Sequence, residues 1–236
     1  MNKLLKVNLK LMLRRKDTMI CVIMSAVLAL LEVLIGKLNG SLDWFGMFEI
    51  PLIMMMFMSA VGGLFISRDY TQNTIRNKLT VGHKRSHIYL ANQIAETVFF
   101  GVCLILFFAV SSAADLIVIG AKGAAASDVL KNMTVCFFAV VAVSALTTFL
   151  AMTVKSAAGG VLPIIIMYPL LMFAVMSQEF GDSKWMQVMN DIIPLSQMTV
   201  LAVPDKRAAI HIVYSLILTV FFITAGVVNF RKADLK

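Results

Sequence analysis

Long apolar runs alternate with short polar segments along the chain. Six runs are long enough, or nearly so, to cross a hydrocarbon core of about 30 Å, which takes a helix of about 20 residues. They lie at roughly 18–37, 47–67, 88–113, 132–154, 161–177 and 208–230. The pattern predicts an all-α membrane protein with six transmembrane helices in a single domain over 1–236. Its parts are an interfacial helix at 1–17, spans one and two within 18–67 and a polar loop at 68–87. Spans three to five follow within 88–177. A surface or re-entrant segment at 178–207, span six at 208–230 and a tail at 231–236 complete the chain.

Several polar segments carry local signals. Residues 1–17 place Lys3, Lys6, Lys10 and Arg14 on one helical face, with Leu4, Val7, Leu11 and Met12 on others. That spacing predicts an amphipathic helix lying on an anionic leaflet, cations toward the headgroups; the plainer reading is a solvated basic tail. Asn39-Gly40 marks a turn in the 38–46 link. Ala114 to Lys131, with Asp115, Lys122, Gly123 and Asp128, reads as a loop with a frayed start, and 155–160 as a tight link of small residues. Pro163 and Pro169 predict a kink in span five. Residues 178–207 are too polar to span and too apolar for a free loop, so a short helix or re-entrant piece is expected.

Composition agrees with the pattern. Hydrophobic residues make up 60% and charged residues only 14% of the chain, against about 25% charged in soluble domains. That excludes an ordinary soluble domain and a disordered chain. The net charge of +8 is placed by topology. With the N-terminus inside, segments 1–17, 68–87, 155–160 and 231–236 hold fifteen Lys and Arg and three acids, and the opposite side holds six Lys and Arg. Such a bias sets both termini in the cytoplasm of a multi-pass protein. It leaves no reason to invoke nucleic acid and points instead to membrane lipids. Cys21, Cys103 and Cys136 sit in apolar runs without metal or disulfide spacing. The run from Thr18 to Gly36 is long for a signal peptide, and no small-x-small site follows it, so it is read as a retained span.

The informative stretch is Ser67 to Asn92, SRDYTQNTIRNKLTVGHKRSHIYLAN. Its composition predicts a short cytoplasmic helix, a turn at Gly82 and a new helix feeding span three. Ile75 and Leu79 form an i, i+4 apolar pair flanked by Arg76 and Lys78, a knob for a cytoplasmic partner. The segment resembles the cytoplasmic loop of bacterial ABC transporter permeases of the type-2 exporter family. Asp69, Thr74, Ile75, Arg76, Lys78, Leu79, Gly82, Arg85, Ile88 and Tyr89 match that loop. Asn73 stands where the family usually has Gly, and Asn is the residue best suited to replace Gly at positive φ.

The resemblance implies a permease half-transporter in the bacterial cytoplasmic membrane, working as an exporter. It implies that Asp69, Thr71, Asn73, Thr74, Ile75, Arg76, Asn77, Lys78 and Leu79 form the helix that docks on cytoplasmic ABC ATPase subunits. A second copy or a paralogous permease would complete the path. The chain has no G-x-x-x-x-G-K-[ST] loop, so the permease itself is expected to be no enzyme and to hold no cofactor, with ATP and Mg on the partner ATPase. The family also implies that spans two and five line the dimer interface. Met54, Met55, Met58 and Pro169 are therefore candidate path residues, the methionines as adaptable apolar walls. Glu96, about two turns into span three, is a further candidate, or a structural partner of a basic residue in the first helix or the loop. Glu32 and Glu49 near the outer ends are expected to reach the headgroups.

His83 and His87 are four apart but lack a third ligand, so no metal site is expected. His211 is expected at the interface. An intramembrane enzyme finds no H-E-x-x-H or G-x-S-x-G. A non-transporting complex that senses or displaces a peptide remains the alternative. Within the resemblance, the small size, the short outer loops and the style of the 69–90 loop lean the substrate toward amphipathic or antimicrobial peptides.

Overall fold

The computed structural model describes residues 2–40, 43–120, 125–179 and 183–233. Lys122, Gly123, Asp182 and the last three residues of the tail, assigned above to loops and termini, lie outside them. Among the described residues the chain is all α, without strands. The helices are α1 (Asn2–Arg14), α2 (Lys16–Asn39), α3 (Ile50–Thr71), α4 (Thr74–Thr80) and α5 (Arg85–Val118). They continue as α6 (Ala126–Val154), α7 (Leu162–Glu179), α8 (Lys184–Ile192), α9 (Pro194–Val200) and α10 (Ala208–Lys232). Short 3₁₀ turns, Gly46–Phe48 and Ala157–Gly160, precede α3 and α7. Among the described residues, six helices are long and apolar enough to cross a membrane: α2, α3, α5, α6, α7 and α10.

The helices begin and end for local reasons. Gly40, at φ 67°, caps α2 by donating to the carbonyls of Gly36 and Lys37. Pro51 sits in the first turn of α3, where its missing N–H costs nothing. At 34 residues, α5 is about 50 Å long, longer than a bilayer core. It therefore runs past the apolar zone, and the predicted loop of Ala114 to Lys131 shrinks because helix continues to Val118 and resumes at Ala126.

Helices α3, α5 and α6 form the centre, and α2, α7 and α10 flank it. Phe99, Phe100, Cys103, Phe107, Val135 and Cys136 are fully buried between them. Small residues let backbones approach: a Cβ on Gly63 would lie 2.8 Å from the Gly160 carbonyl. Buried hydroxyls turn back onto their own helix, as Thr147 does to the Val143 carbonyl at 2.9 Å.

Two parts differ from the simplest pattern reading. In α1 the buried stripe is Leu4, Asn8 and Met12, seated on α5, while Val7 and Leu11 are exposed with the lysines. The helix is thus docked on the protein along one side as well as amphipathic. The segment 178–207 splits in two. Helix α8 carries an exposed Trp185, whereas α9 buries Leu195 and Met198 against α6 and α7.

Candidate coupling site

Helix α4 lies between two reversals at one end of the bundle. The first is Asn73, whose φ of 55° and ψ of 18° are left-handed. A short side chain tolerates that conformation, which is why Asn serves in a glycine's place. The second is Gly82, at φ 91°, whose N–H donates to Leu79 O at 2.9 Å while His83 N–H reaches Lys78 O at 3.2 Å. This pattern satisfies the last carbonyls of α4.

Asp69, at the end of α3, holds the loop closed. It accepts from Thr74 Oγ1 at 2.6 Å and from Lys78 Nζ at 2.5 Å. Both ends of the Asp69–Lys78 pair are largely buried, so the contact is worth more than an exposed ion pair. Lys78 Nζ also donates to Asn8 Oδ1 at 3.4 Å, and Asn8 Nδ2 donates to Asn92 Oδ1 at 2.5 Å. Asn92 touches Met152 Sδ, and Tyr70 donates to the Met152 carbonyl at 3.0 Å. A polar chain thus joins α4 to α1, α5, α6 and the end of α3.

The same end carries a second tie. Arg85, the first residue of α5, donates to the carbonyls of Phe230, Arg231 and Ala233. These belong to the C-terminal end of α10, which accepts a cation favourably. Asn229 adds a bond to Thr153 Oγ1 at 3.1 Å.

The exposure of α4 corrects one expectation. Ile75 is 2% exposed and belongs to the core, and Leu79 packs against that core. They face the bundle and cannot project as a knob. The exposed residues are Thr71, Gln72, Asn73, Arg76, Asn77, Thr80 and Val81, the last 77% exposed. Lys78 and Thr74 are half-buried in the clamp.

The candidate path residues do not converge. Met54 and Met58 line an apolar groove of about 490 Å³ between α2 and α3, with Met24 and Phe57 in its walls and Asp17 and Arg68 at one end. Those two charges lie 3.3 Å apart. Met55 is buried in the core, and Pro169 is exposed on α7. Glu96 is fully buried and has no basic partner among the described residues: its Oε2 accepts from Thr148 Oγ1 at 2.5 Å. The expected pairing with the first helix or the loop is therefore replaced by a hydroxyl of α6. Glu96 also packs against Gly62, where a Cβ would collide with its carboxyl. Glu32 is half-buried and accepts from Ser111 at 2.9 Å, so it does not simply reach the headgroups, whereas Glu49 is exposed. His83 and His87 join no metal-binding group among the described residues.

His211, expected at the interface, is enclosed by protein. It is 1% exposed, at the end of the bundle opposite α4. Its Nδ1 lies 2.7 Å from Asp205 Oδ2 and its Nε2 lies 3.1 Å from Asp191 Oδ1. Arg207 adds a contact to Asp191 at 2.5 Å. Asn132 fastens the same turn by donating to the carbonyls of Leu201 and Val203, both at 2.8 Å. Asp191 and Asp205 lie twenty and six residues before His211, so no local spacing announces the cluster. Burial raises the Asp205 carboxyl, but the bonds from His211 and the Arg207 N–H, with both charges, leave it below its usual value. Stability from this depressed carboxyl is present above the unfolded value of about 4 and is lost as pH falls through the folded one. The thermal midpoint of the purified protein should therefore fall below about pH 4, and Asp205→Asn should flatten that part of the profile.

The clamp draws its partners from distant parts of the chain, and a family relationship covers most of that chain. None of the curated proteins matches it. The family model described as ABC-2 type transporter matches residues 2–203, from α1 through the turn after α9. With six membrane-crossing helices and a match over most of its length, the chain belongs to the ABC-2 type transporter family and is a membrane-spanning permease component.

Proposed function

We propose that the chain is the permease half of an ATP-driven exporter in a bacterial cytoplasmic membrane, with both termini cytoplasmic. A separate cytoplasmic ABC ATPase docks on α4 and supplies ATP hydrolysis. A second permease, identical or paralogous, completes the translocation path. The cargo we assign is an amphipathic peptide, for which the methionine-walled groove between α2 and α3 offers adaptable apolar contacts.

The observation that carries this reading is the mounting of α4. A seven-residue helix is too short to persist by itself in water. Here it is closed by Asp69, Thr74 and Lys78 and anchored by Ile75, leaving one polar face free. A push on that face reaches α1, α5 and α6 through Lys78, Asn8, Asn92 and Met152. Rigid mounting on a membrane bundle is what a partner needs in order to move the spans.

The test uses Arg76→Glu combined with Val81→Asp. Both residues are exposed, so the permease should insert and keep its thermal midpoint. Co-purification of the ATPase encoded beside the permease should drop at least tenfold. Uptake of labelled amphipathic peptide into inverted vesicles should fall with it. Unchanged co-purification would overturn the docking assignment. ATP turnover without peptide movement in wild-type vesicles would favour the sensing alternative.

A further inference from the structure

The end of the bundle opposite α4 holds an acidic cluster that coupling does not use. Glu32 lies in the last turns of α2 and Asp115 in the last turn of α5. Asp43 and Glu49 lie on the connection from α2 to α3. Ser111, one turn before Asp115, donates to Glu32 Oε2 at 2.9 Å. The 3₁₀ turn closes over the same carboxyl: a Cβ on Gly46 would lie 3.1 Å from Glu32 Oε1. Asp115 and Glu49 both act electrostatically on Glu32, and Asp43 acts on Asp115.

Asp115 is the decisive residue. It is 0% exposed, and neither carboxyl oxygen has a hydrogen-bond partner. The neighbouring Ser112 hydroxyl is also buried and unpartnered. Among the described residues no Lys, Arg or His forms an ion pair with Glu32 or Asp115. Lys37 in the last turn of α2, Lys184 and Lys206 are exposed, and the other described cations at this end have partners of their own. Lys131 on α6 pairs with Asp128 at 2.9 Å, and His211 and Arg207 serve Asp191 and Asp205.

Ionised together, the half-buried Glu32 and the enclosed Asp115 repel each other, and Asp115 gains nothing from solvent. One positive charge must neutralise the pair. A metal ion needs several oxygen ligands, and no group of three or more acidic, His or Cys side chains among the described residues is placed to hold one. The enclosure of Asp115 leaves no surface for a hydrated ion. A proton needs neither ligands nor room.

We infer that Glu32 and Asp115 form a proton-binding site that takes up one proton when α2, α5 and the Gly46–Phe48 turn are packed together. Release of that proton charges both side chains and drives α2 away from α5 at this end. The packed arrangement is thus favoured by acid on that side of the membrane.

The purified full-length chain in detergent tests this without an ATPase, so the outcome is independent of the docking assignment. Thermal midpoints are measured at about pH 5.5 and about pH 8.5 for wild type, Asp115→Asn and Glu32→Gln. The folded chain holds a proton that the unfolded chain releases, so the wild-type midpoint should be higher at the lower pH. Asp115→Asn, whose amide mimics the protonated acid, should raise the midpoint at pH 8.5 and remove at least half of the difference between the two pH values. Glu32→Gln should act in the same direction and carries the test if the first variant is not obtained. A pH difference unchanged in both variants, or failure of both to fold, overturns the proposal. So does a wild-type midpoint at pH 8.5 that rises with Na⁺ or Ca²⁺ and loses that rise in Asp115→Asn, because the occupant is then a metal ion.

Discussion

Ile75→Asp will detach α4 from the bundle and abolish coupling while the six spans stay inserted. Ile75 is 2% exposed and joins the core. Removing its packing and burying an unpaired carboxyl together cost on the order of 3–5 kcal/mol. The loss is local, because α4 touches the rest mainly through its neighbours α3 and α5, and local opening is less costly than global unfolding. Limited proteolysis should cut between Gln72 and Lys84 in the variant and spare the wild type. ATPase co-purification should vanish. Ile75→Val, which keeps the shape, should behave as wild type within about 1 kcal/mol. This variant and the Arg76→Glu, Val81→Asp pair lose the partner for opposite reasons, one by losing the mount and one by losing the face. Protease resistance tells them apart.

Gly226→Ala will destabilise the whole bundle. A Cβ at that position would overlap the Tyr89 hydroxyl and ring, and Tyr89 is fully buried. Its hydroxyl donates to the Phe222 carbonyl at 3.3 Å, so the ring meets α10 at two successive turns. Overpacking of this kind costs about 1–3 kcal/mol or more. The thermal midpoint should drop by several degrees, about 2–4 °C per kcal/mol for a chain of this size. Tyr89→Phe alone should cost little. Combined with Gly226→Ala it should recover part of the loss, because the overlapping oxygen is gone. Such coupling between contacting residues is the sign of a direct steric clash.

The sequence made the spans legible because each is a near-continuous apolar run, and lipid leaves no other structure available to such runs. Their ends were less legible. Helix α5 continues through a buried Asp115 to Val118, and a carboxylate in an apolar pattern reads as a loop until its burial is known. Asn73 was readable as a left-handed residue, since a short polar side chain at a family glycine has few other uses. The direction of Ile75 was not. An i, i+4 apolar pair tells which residues share a face, but on a short helix lying across a bundle it does not tell whether that face turns toward protein or water. The partners of Asn8, Glu96 and His211 were equally hidden. Each bond joins residues far apart in the chain or in different helices, and no spacing rule reaches that far.

The bond between Asn8 and Asn92 has a consequence for grafting. Position 8 meets Lys78 on one side and Asn92 on the other, so its chemistry answers to two distant segments at once. Residues 2–14, the 69–82 loop and the first two turns of α5 therefore form one unit of exchange between permeases. A chimera that carries the loop alone would bring a borrowed handle without the hinge it was cut to fit.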